Sequence, residues 1–255
     1  MSREMWGRGR HVEPLLSIIT VVYNSAADLR KTIESVKPQH GANLQFIIID
    51  GGSTDGTVEL IKSHEDVVDC WISEPDRGIY DAMNKGIALS KGKYLLFLNA
   101  KDELVVNLSD IEEALSGDYV FVYGKANMLE DDRRVSYVKG KPLKSHRKLI
   151  SGTPLCHQAI FYRRDQIGSY DLDYRIIADR VLTHALATKY GVSKTLFLDL
   201  PIVNYFEGGF SRQNYESWKR EEIHFLNSLG ENFLALYKKI AFFYKKYFKK
   251  QFRVN

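Results

Sequence analysis

The sequence predicts an α/β fold: a doubly wound, mostly parallel sheet followed by a C-terminal amphipathic helical extension. Three observations predict it. Leu15–Tyr23 (LLSIITVVY) and Leu44–Ile49 (LQFIII) are short apolar runs rich in β-branched residues, which suit strands covered on both faces. Helical patterns separate such runs with short connections, the alternation that builds a doubly wound sheet. From Asn232 the chain reads NFLALYKKIAFFYKKYFKKQF, with aromatic and lysine residues recurring at helical spacing.

Leu15–Tyr23 is the first strand, followed by a turn at Asn24–Ser25 and a helix with Leu29, Ile33 and Val36 on one face. Pro38 ends that helix. Leu44–Ile49 is a second buried strand that closes on Asp50 and the loop GGSTDGT, and the next helix starts near Thr57. Cys70–Ser73 is a third strand, and Glu74–Gly78 is a loop. Ile79–Ser90 is a helix with Ile79, Met83 and Ile87 stacked on one side. Gly92 stops it, and Tyr94–Leu98 (YLLFL) is the fourth strand. Further on, Asp118–Tyr123 and His157–Tyr162 read as strands, Ile177–Tyr190 as a helix ending at Gly191, and Leu196–Leu198 as an added edge strand.

A chain of 255 residues is long enough for one large α/β domain with a helical tail. A net charge of +4 with no zinc-finger or RNA-binding signature gives no reason to expect a nucleic-acid partner. Cys70 and Cys156 form neither a metal-ligand pair nor a disulfide framework. Cys70 reads as a small core residue, whereas Cys156 beside His157 leaves a reactive thiol as the minor reading. No apolar run has the length of a secretory signal or a membrane span, so a cytoplasmic protein is expected.

In doubly wound sheets the ligand lies outside the carboxyl ends of the strands. Those ends here carry Tyr23–Asn24, Asp50 and Asn99–Asp102. Asp50 stands where a carboxylate can accept a nucleobase N–H or a ribose hydroxyl, while Asp55 and Thr57 are placed to cap the following helix. The loop Asp50–Thr57 lacks both GxGxxG and a phosphate-loop lysine, which disfavours dinucleotide and ATPase readings.

Four segments in order, SIITVVYNS, IIIDGGSTDGT, SEPDRGIYDAMNKGIALSKGKYLLFLNA and HQAIFY, resemble a family 2 glycosyltransferase of the Rossmann-like GT-A fold. The likeness is greatest to bacterial enzymes of exopolysaccharide, colanic-acid or O-antigen assembly, dense from Leu16 to Asp102 and thinner to Ser211. It implies a domain over 15–215, with a nucleotide-sugar donor half (15–103) and an acceptor half (104–215), after an N-terminal extension (1–14). Thr20, Tyr23 and Asn24 would line the base and ribose pocket, and Asp50 would bind the nucleobase. Arg77, Asp81 and Asn84 would face the donor, together with Asn99 and Ala100. Asp102 would hold Mg²⁺ or Mn²⁺ against the diphosphate; the family's acidic motif is incomplete here, with Asn99 and Lys101 at its other acidic positions. His157 and Gln158 would lie near donor sugar and acceptor. Asp179 matches the family's general base for an inverting transfer, and Gly208–Ser211 resembles a glycine loop that closes over the site.

The expected reaction moves a sugar from a nucleoside-diphosphate sugar, a UDP-sugar in the first instance, to a glycan or polyprenyl-diphosphate-linked acceptor. The alternative is a catalytically weak sugar-nucleotide-binding protein, motivated by Lys101 and by Arg180 beside the presumed base. In the segment 216–255, Phe233, Leu236, Tyr237, Ile240, Phe243, Tyr244 and Tyr247 gather on one side of a helix. Lys238, Lys239, Lys245, Lys246, Lys249 and Lys250 gather on the other, with Phe242 as the exception. Such a helix over 232–252 fits an anionic membrane surface, placing the protein peripherally on the inner face of the cytoplasmic membrane. The competing reading is a helix packed on the domain with solvated lysines.

Overall fold

The computed structural model describes residues 4–7, 13–41, 43–130, 132–152, 154–206 and 214–247. Its centre is four parallel strands in the order β4 (Cys70–Ser73), β3 (Leu44–Asp50), β2 (Leu16–Val22) and β5 (Tyr94–Phe97). All seven residues of β2 and of β3 are buried, as largely apolar runs covered on both faces require. The pleat sends alternate side chains to opposite faces. Ile18, Phe46, Ile48 and Leu96 join one apolar cluster, and Ile19, Ile47, Ile49 and Phe97 join the other.

Helices cover both faces. Against the first cluster lie α1 (Ala26–Val36), α2 (Thr57–Lys62) and α4 (Leu108–Ser116), through Leu29, Ile33, Leu60, Ile111 and Leu115. Against the second lie α3 (Ile79–Leu89) and α7 (Ala178–Tyr190), through Tyr80, Met83, Leu186 and Ala187. Each fully buried aliphatic side chain contributes about 1.5–3 kcal/mol. Gly86 lets α3 lie close to β2: a Cβ there would run into Ile19 Cγ2.

Beyond β5 the strands change direction. β9 (Ile160–Arg163) pairs antiparallel with both β5 and β7 (Phe121–Leu129). Outside β7 runs β10 (Thr195–Phe206), parallel to it, and then β6 (Glu103–Leu104), with β8 (Val135–Lys139) as an antiparallel branch on β7. The edge strand expected at Leu196–Leu198 is therefore part of a twelve-residue strand that lies between two others. Its register shifts beside Pro201, which cannot donate to the ladder. At the opposite edge β1 (Glu4–Gly7) pairs antiparallel with β4. The short helices α5 (Arg147–Ser151) and α6 (Arg164–Ile167) flank β9 in sequence.

Two helices follow the sheet. α8 (Tyr215–Ser228) buries Phe225 in the core beside α7. α9 (Asn232–Tyr247) turns Ala235 inward and leaves Phe233 (87% exposed), Leu236, Tyr237, Ile240 and Phe243 on the outside. Lys238 points the other way, to the buried Glu222 at 2.6 Å. The apolar stripe of this helix thus faces outward, while Leu234 and Ala235 join Ile150 and Leu226 in an apolar cluster, Lys238 docks on Glu222 and Lys239 stays exposed. Among the described residues no helix is long and apolar enough to cross a membrane. The glycine loop at 208–211 and the lysines at 249 and 250 lie outside the described residues.

Candidate active site

A cleft of about 750 Å³ opens at the carboxyl ends of β2 and β5, where a doubly wound sheet places its ligand. Tyr23, Asn99, Ala100, Lys101, Asp102, His157, Gln158 and Asp179 all line it, so the structure brings together residues spread over more than 150 positions of sequence. Tyr23 is 65% exposed at the cleft wall. Gly51 makes room beside it: a Cβ at this position would come 2.6 Å from Asp76 Oδ2 and 3.3 Å from the Tyr23 ring.

The segment after β5 is held tightly. Lys101 adopts φ 88°, the Thr32 hydroxyl donates to the Asp102 carbonyl at 2.8 Å, and the Phe206 N–H donates to Asp102 Oδ1 at 3.0 Å. Burial pushes the Asp102 carboxyl up to about 8, outweighing the Phe206 hydrogen bond and the Lys101 charge. The Lys101 ammonium lies 5.6 Å from the centre of the Phe206 ring. Asn99 Oδ1 is buried with no hydrogen-bond partner among the described residues. The Asp102 carboxyl and the Asn99 amide oxygen are two hard oxygen donors on one short segment.

No group of three or more His, Cys, Asp or Glu side chains gathers as a metal site among the described residues. An all-protein cage is not what a magnesium-type ion requires, since one or two protein oxygens with substrate phosphates and water complete its shell. Asp102 and Asn99 supply two such oxygens, so the residues present are compatible with that mode.

Asp179 occupies the first turn of α7, and its Oδ1 lies 2.9 Å from the Tyr80 hydroxyl. Burial, reinforced by the Asp179 charge, raises the Tyr80 hydroxyl well above the ordinary tyrosine value, so it stays a donor. His157 stacks on Phe97 at 5.2 Å and its Nε2 sits 2.7 Å from the Tyr170 hydroxyl. Burial holds its imidazole below the ordinary histidine value, against the pull of Asp179, and keeps it neutral. Cys156 is buried and pushed up to about 12, which removes the reactive-thiol reading.

Several expected contacts fall elsewhere. Thr20 is fully buried and donates to the Leu98 carbonyl at 2.7 Å, bracing β2 to the end of β5 instead of lining a pocket. Asn24, at φ 47°, accepts from the Thr54 N–H at 2.8 Å and ties its turn to the Asp50 loop. Asp50 is also fully buried. Its carboxylate accepts from the Gly52 and Ser53 N–H groups, at 3.0 and 2.9 Å, and from the hydroxyls of Ser53 and Ser73. Three of these donors converge on Oδ2 and one on Oδ1, so the carboxylate fastens its own loop and the end of β4. Asp81 takes the Arg77 guanidinium at 3.0 Å, and Asn84 exchanges two hydrogen bonds with the Tyr170 backbone at 3.0 and 2.8 Å. Ile79, Tyr80 and Met83 are the α3 residues that line the cleft; Asp81 and Asn84 of that helix, and Arg77 in the loop before it, are not among its lining residues.

Arg180 does not compete for Asp179. Its guanidinium is buried, donates to the Leu149 and Ile150 carbonyls and pairs with Glu222 at 2.8 Å. Tyr80, Arg175, Tyr215 and Trp218 also line the cleft and were not foreseen. An isolated tryptophan in the polar run NYESWKREE was the available signal for the last.

The profile described as "Glycosyl transferase family 2" matches residues 17–166, more than half of the chain. The chain belongs to glycosyl transferase family 2. An uncharacterised family relative from Mycobacterium tuberculosis is 36% identical over 178 residues, 66% of this chain and 66% of the relative. A Mycobacterium bovis protein named as a PGL/p-HBAD biosynthesis glycosyltransferase is 35% identical over 177 residues, 65% of this chain and 67% of its own length. The chain spans just under two thirds of the length of the first of these. Among solved structures, Staphylococcus aureus TarS in complex with UDP superposes with a TM-score of 0.59 at 16% identity, over 83% of this chain and 65% of that one. Glucosyl-3-phosphoglycerate synthase from M. tuberculosis, in complex with Mn²⁺, UDP and glucosyl-3-phosphoglycerate, gives 0.57 at 15% identity, over 84% and 79%. These likenesses show that this family 2 chain has the GT-A fold.

Proposed function

We propose that the protein is an inverting glycosyltransferase that takes a sugar from a nucleoside-diphosphate sugar, with a UDP-sugar as first candidate. Its acceptor is a glycan or a polyprenyl-diphosphate-linked sugar of bacterial surface polysaccharide assembly. The observation that carries this reading is the cleft that sets a carboxylate on a helix start, Asp179, in the same cavity as the Asn99–Asp102 segment. The names of the relatives, and the UDP in both solved structures, support the donor class.

In this reading the exposed Tyr23 ring stacks on the nucleobase, beside the space that Gly51 keeps open. Asp102 and Asn99 would hold Mg²⁺ or Mn²⁺, which when bound would supply positive charge to neutralise a diphosphate leaving group. Lys101 adds a positive charge on the same segment. The acceptor hydroxyl attacks the anomeric carbon in line, its proton passes to Asp179, and the anomeric carbon–oxygen bond breaks with its electron pair leaving on the diphosphate. Neutral His157 and Gln158 line the space for donor sugar and acceptor. The catalytically weak alternative loses one of its two supports, because Arg180 is engaged with Glu222.

The outward stripe Phe233, Leu236, Tyr237, Ile240 and Phe243, with Lys239 exposed next to it, supports a helix lying in an anionic membrane surface near a lipid-linked acceptor. The protein then sits on the inner face of the cytoplasmic membrane.

The test is a panel of UDP-glucose, UDP-galactose, UDP-N-acetylglucosamine and GDP-mannose, assayed for sugar release or transfer with Mn²⁺ and with chelator. Asp179→Asn is expected to abolish turnover while UDP binds within about twofold of wild type. Near-normal turnover in that variant removes Asp179 from the role. Co-flotation with phosphatidylglycerol vesicles, weakened by salt and by Phe233→Ser with Ile240→Ser, tests the membrane surface; no binding at low salt refutes it.

A further inference from the structure

α7 begins without a cap of its own. Its N-cap residue is Ile177, at φ −121° and ψ 16°, and an isoleucine side chain has no oxygen to offer the amides of the first turn. The donors just before the helix find their partner on a different element. Glu221, on α8, accepts from the Arg175 N–H at 3.0 Å through one oxygen, and from the Ile176 and Ile177 N–H groups at 2.9 and 3.1 Å through the other. Three consecutive amides therefore converge on one carboxylate 44 to 46 positions later in the chain.

The same segment is held from its other side. The Tyr80 hydroxyl lies 2.9 Å from the Ile176 carbonyl and 2.9 Å from Asp179 Oδ1. One proton is thus shared between the backbone that leads into the helix and the carboxylate two residues into it. If the Arg175–Ile177 backbone rotates, the Ile176 carbonyl and the Asp179 side chain move relative to Tyr80 together. A displacement of about 1 Å in a reacting group costs up to about a hundredfold in rate.

We propose that Glu221 is a positioning residue, acting at a distance from the reacting atoms by fixing the turn that aims Asp179 into the cleft. This rests on the reading of Asp179 as the base. Charge-assisted bonds to three amides hold the turn more firmly than a neutral cap, and the helix N-terminus favours the negative charge there. Glu221 thereby gives the C-terminal helix α8 a part in the chemistry of a site whose donor-binding segments lie before residue 103.

Glu221→Gln keeps the size of the side chain but puts an amide NH₂ against N–H donors. Glu221→Asp keeps the charge but is one methylene too short to reach all three. Both are tested with the nucleotide sugar that wild type turns over fastest in the panel above, alongside UDP titration and thermal melting. The expected result is a fall in kcat of about tenfold in both variants, with KM for the donor and Kd for UDP within about twofold and circular dichroism unchanged. A kcat within twofold of wild type in both variants overturns the proposal. So does a loss that appears equally in UDP affinity, or failure of both variants to fold, since Glu221 then serves the fold and not the aim of Asp179. Asp179→Asn is measured in parallel. If that variant is active the base reading fails; if it is inactive while Glu221→Gln turns over normally, only the positioning role fails.

Discussion

Glu222 is a carboxylate with 1% of its side chain exposed, and it sits among three cations. Arg180 and Lys238 reach one oxygen at 2.8 and 2.6 Å, and Lys219 reaches the other at 2.8 Å. Burial pushes its carboxyl up, but the hydrogen bonds from Arg180, Lys219 and Lys238 outweigh it and bring it from 4.5 down to about 2. That depression corresponds to about 3 kcal/mol of stability at neutral pH. The low end of the cost of breaking a buried ion pair, about 3–5 kcal/mol, agrees with it. Glu222→Gln leaves Arg180 and two lysines without their counter-charge. It is expected to lower Tm at pH 7 by about 6–12 °C, at about 2–4 °C per kcal/mol for a chain of this size. The sign with pH follows from a folded value below the unfolded one. The stabilisation is complete above 4.5 and is lost as pH falls toward 2, so the gap between wild type and variant must narrow between pH 5 and pH 3. Thermal melting by circular dichroism at pH 7, 5, 4 and 3 reads both effects. A variant melting within 2 °C of wild type at pH 7, or a gap that stays constant down to pH 3, refutes the reasoning.

Asp102→Asn is expected to melt above wild type in chelator at pH 7, because a carboxyl raised from 3.8 to about 8 costs stability increasingly as pH rises from 3.8 toward 8. The same variant loses the Mn²⁺-dependent part of UDP affinity in calorimetric titration; an unchanged titration contradicts the assigned ligand. Gly86→Ala forces a methyl group onto Ile19 between α3 and β2, and urea melts are expected to show a loss of about 1–3 kcal/mol. Asn84→Ala removes both hydrogen bonds to the Tyr170 backbone and is expected to cost about 1–3 kcal/mol while UDP affinity stays within twofold, since this side chain fastens two segments and does not touch the cleft. A tenfold loss of UDP affinity would restore it to the donor site.

The central strands were legible because β2 and β3 are covered on both faces, which leaves a largely apolar, β-branched run as the trace of burial. β10 was less so. Most of its residues are half-buried, and Pro201 interrupts the pattern, so only three of its positions read as a strand. The location of the cleft followed from where strands end, but the duty of each polar side chain did not. Whether Asp50 turns to a ligand or to the N–H groups of Gly52 and Ser53 depends on the path of its loop, which the residue types leave open. The pair Glu221–Glu222 is a similar case. Within a polar helical stretch two adjacent carboxylates read as solvated charge, yet one caps α7 and the other is fully buried against Arg180. The docking of Lys238 on Glu222 is hidden for the same reason, since periodicity separates polar from apolar sides without saying which one meets the domain.

The placement of β9 between β5 and β7 sets a timetable for synthesis. Leu96 pairs with Phe161, about 65 residues later in the chain. At roughly 5–20 residues per second a ribosome needs about 3–13 s to supply that partner. During this interval the nascent chain carries β5, all four of whose residues are apolar or aromatic, as an open edge. Expression yield should therefore respond to holdase chaperones and to lowered temperature more than the stability of the finished protein would suggest.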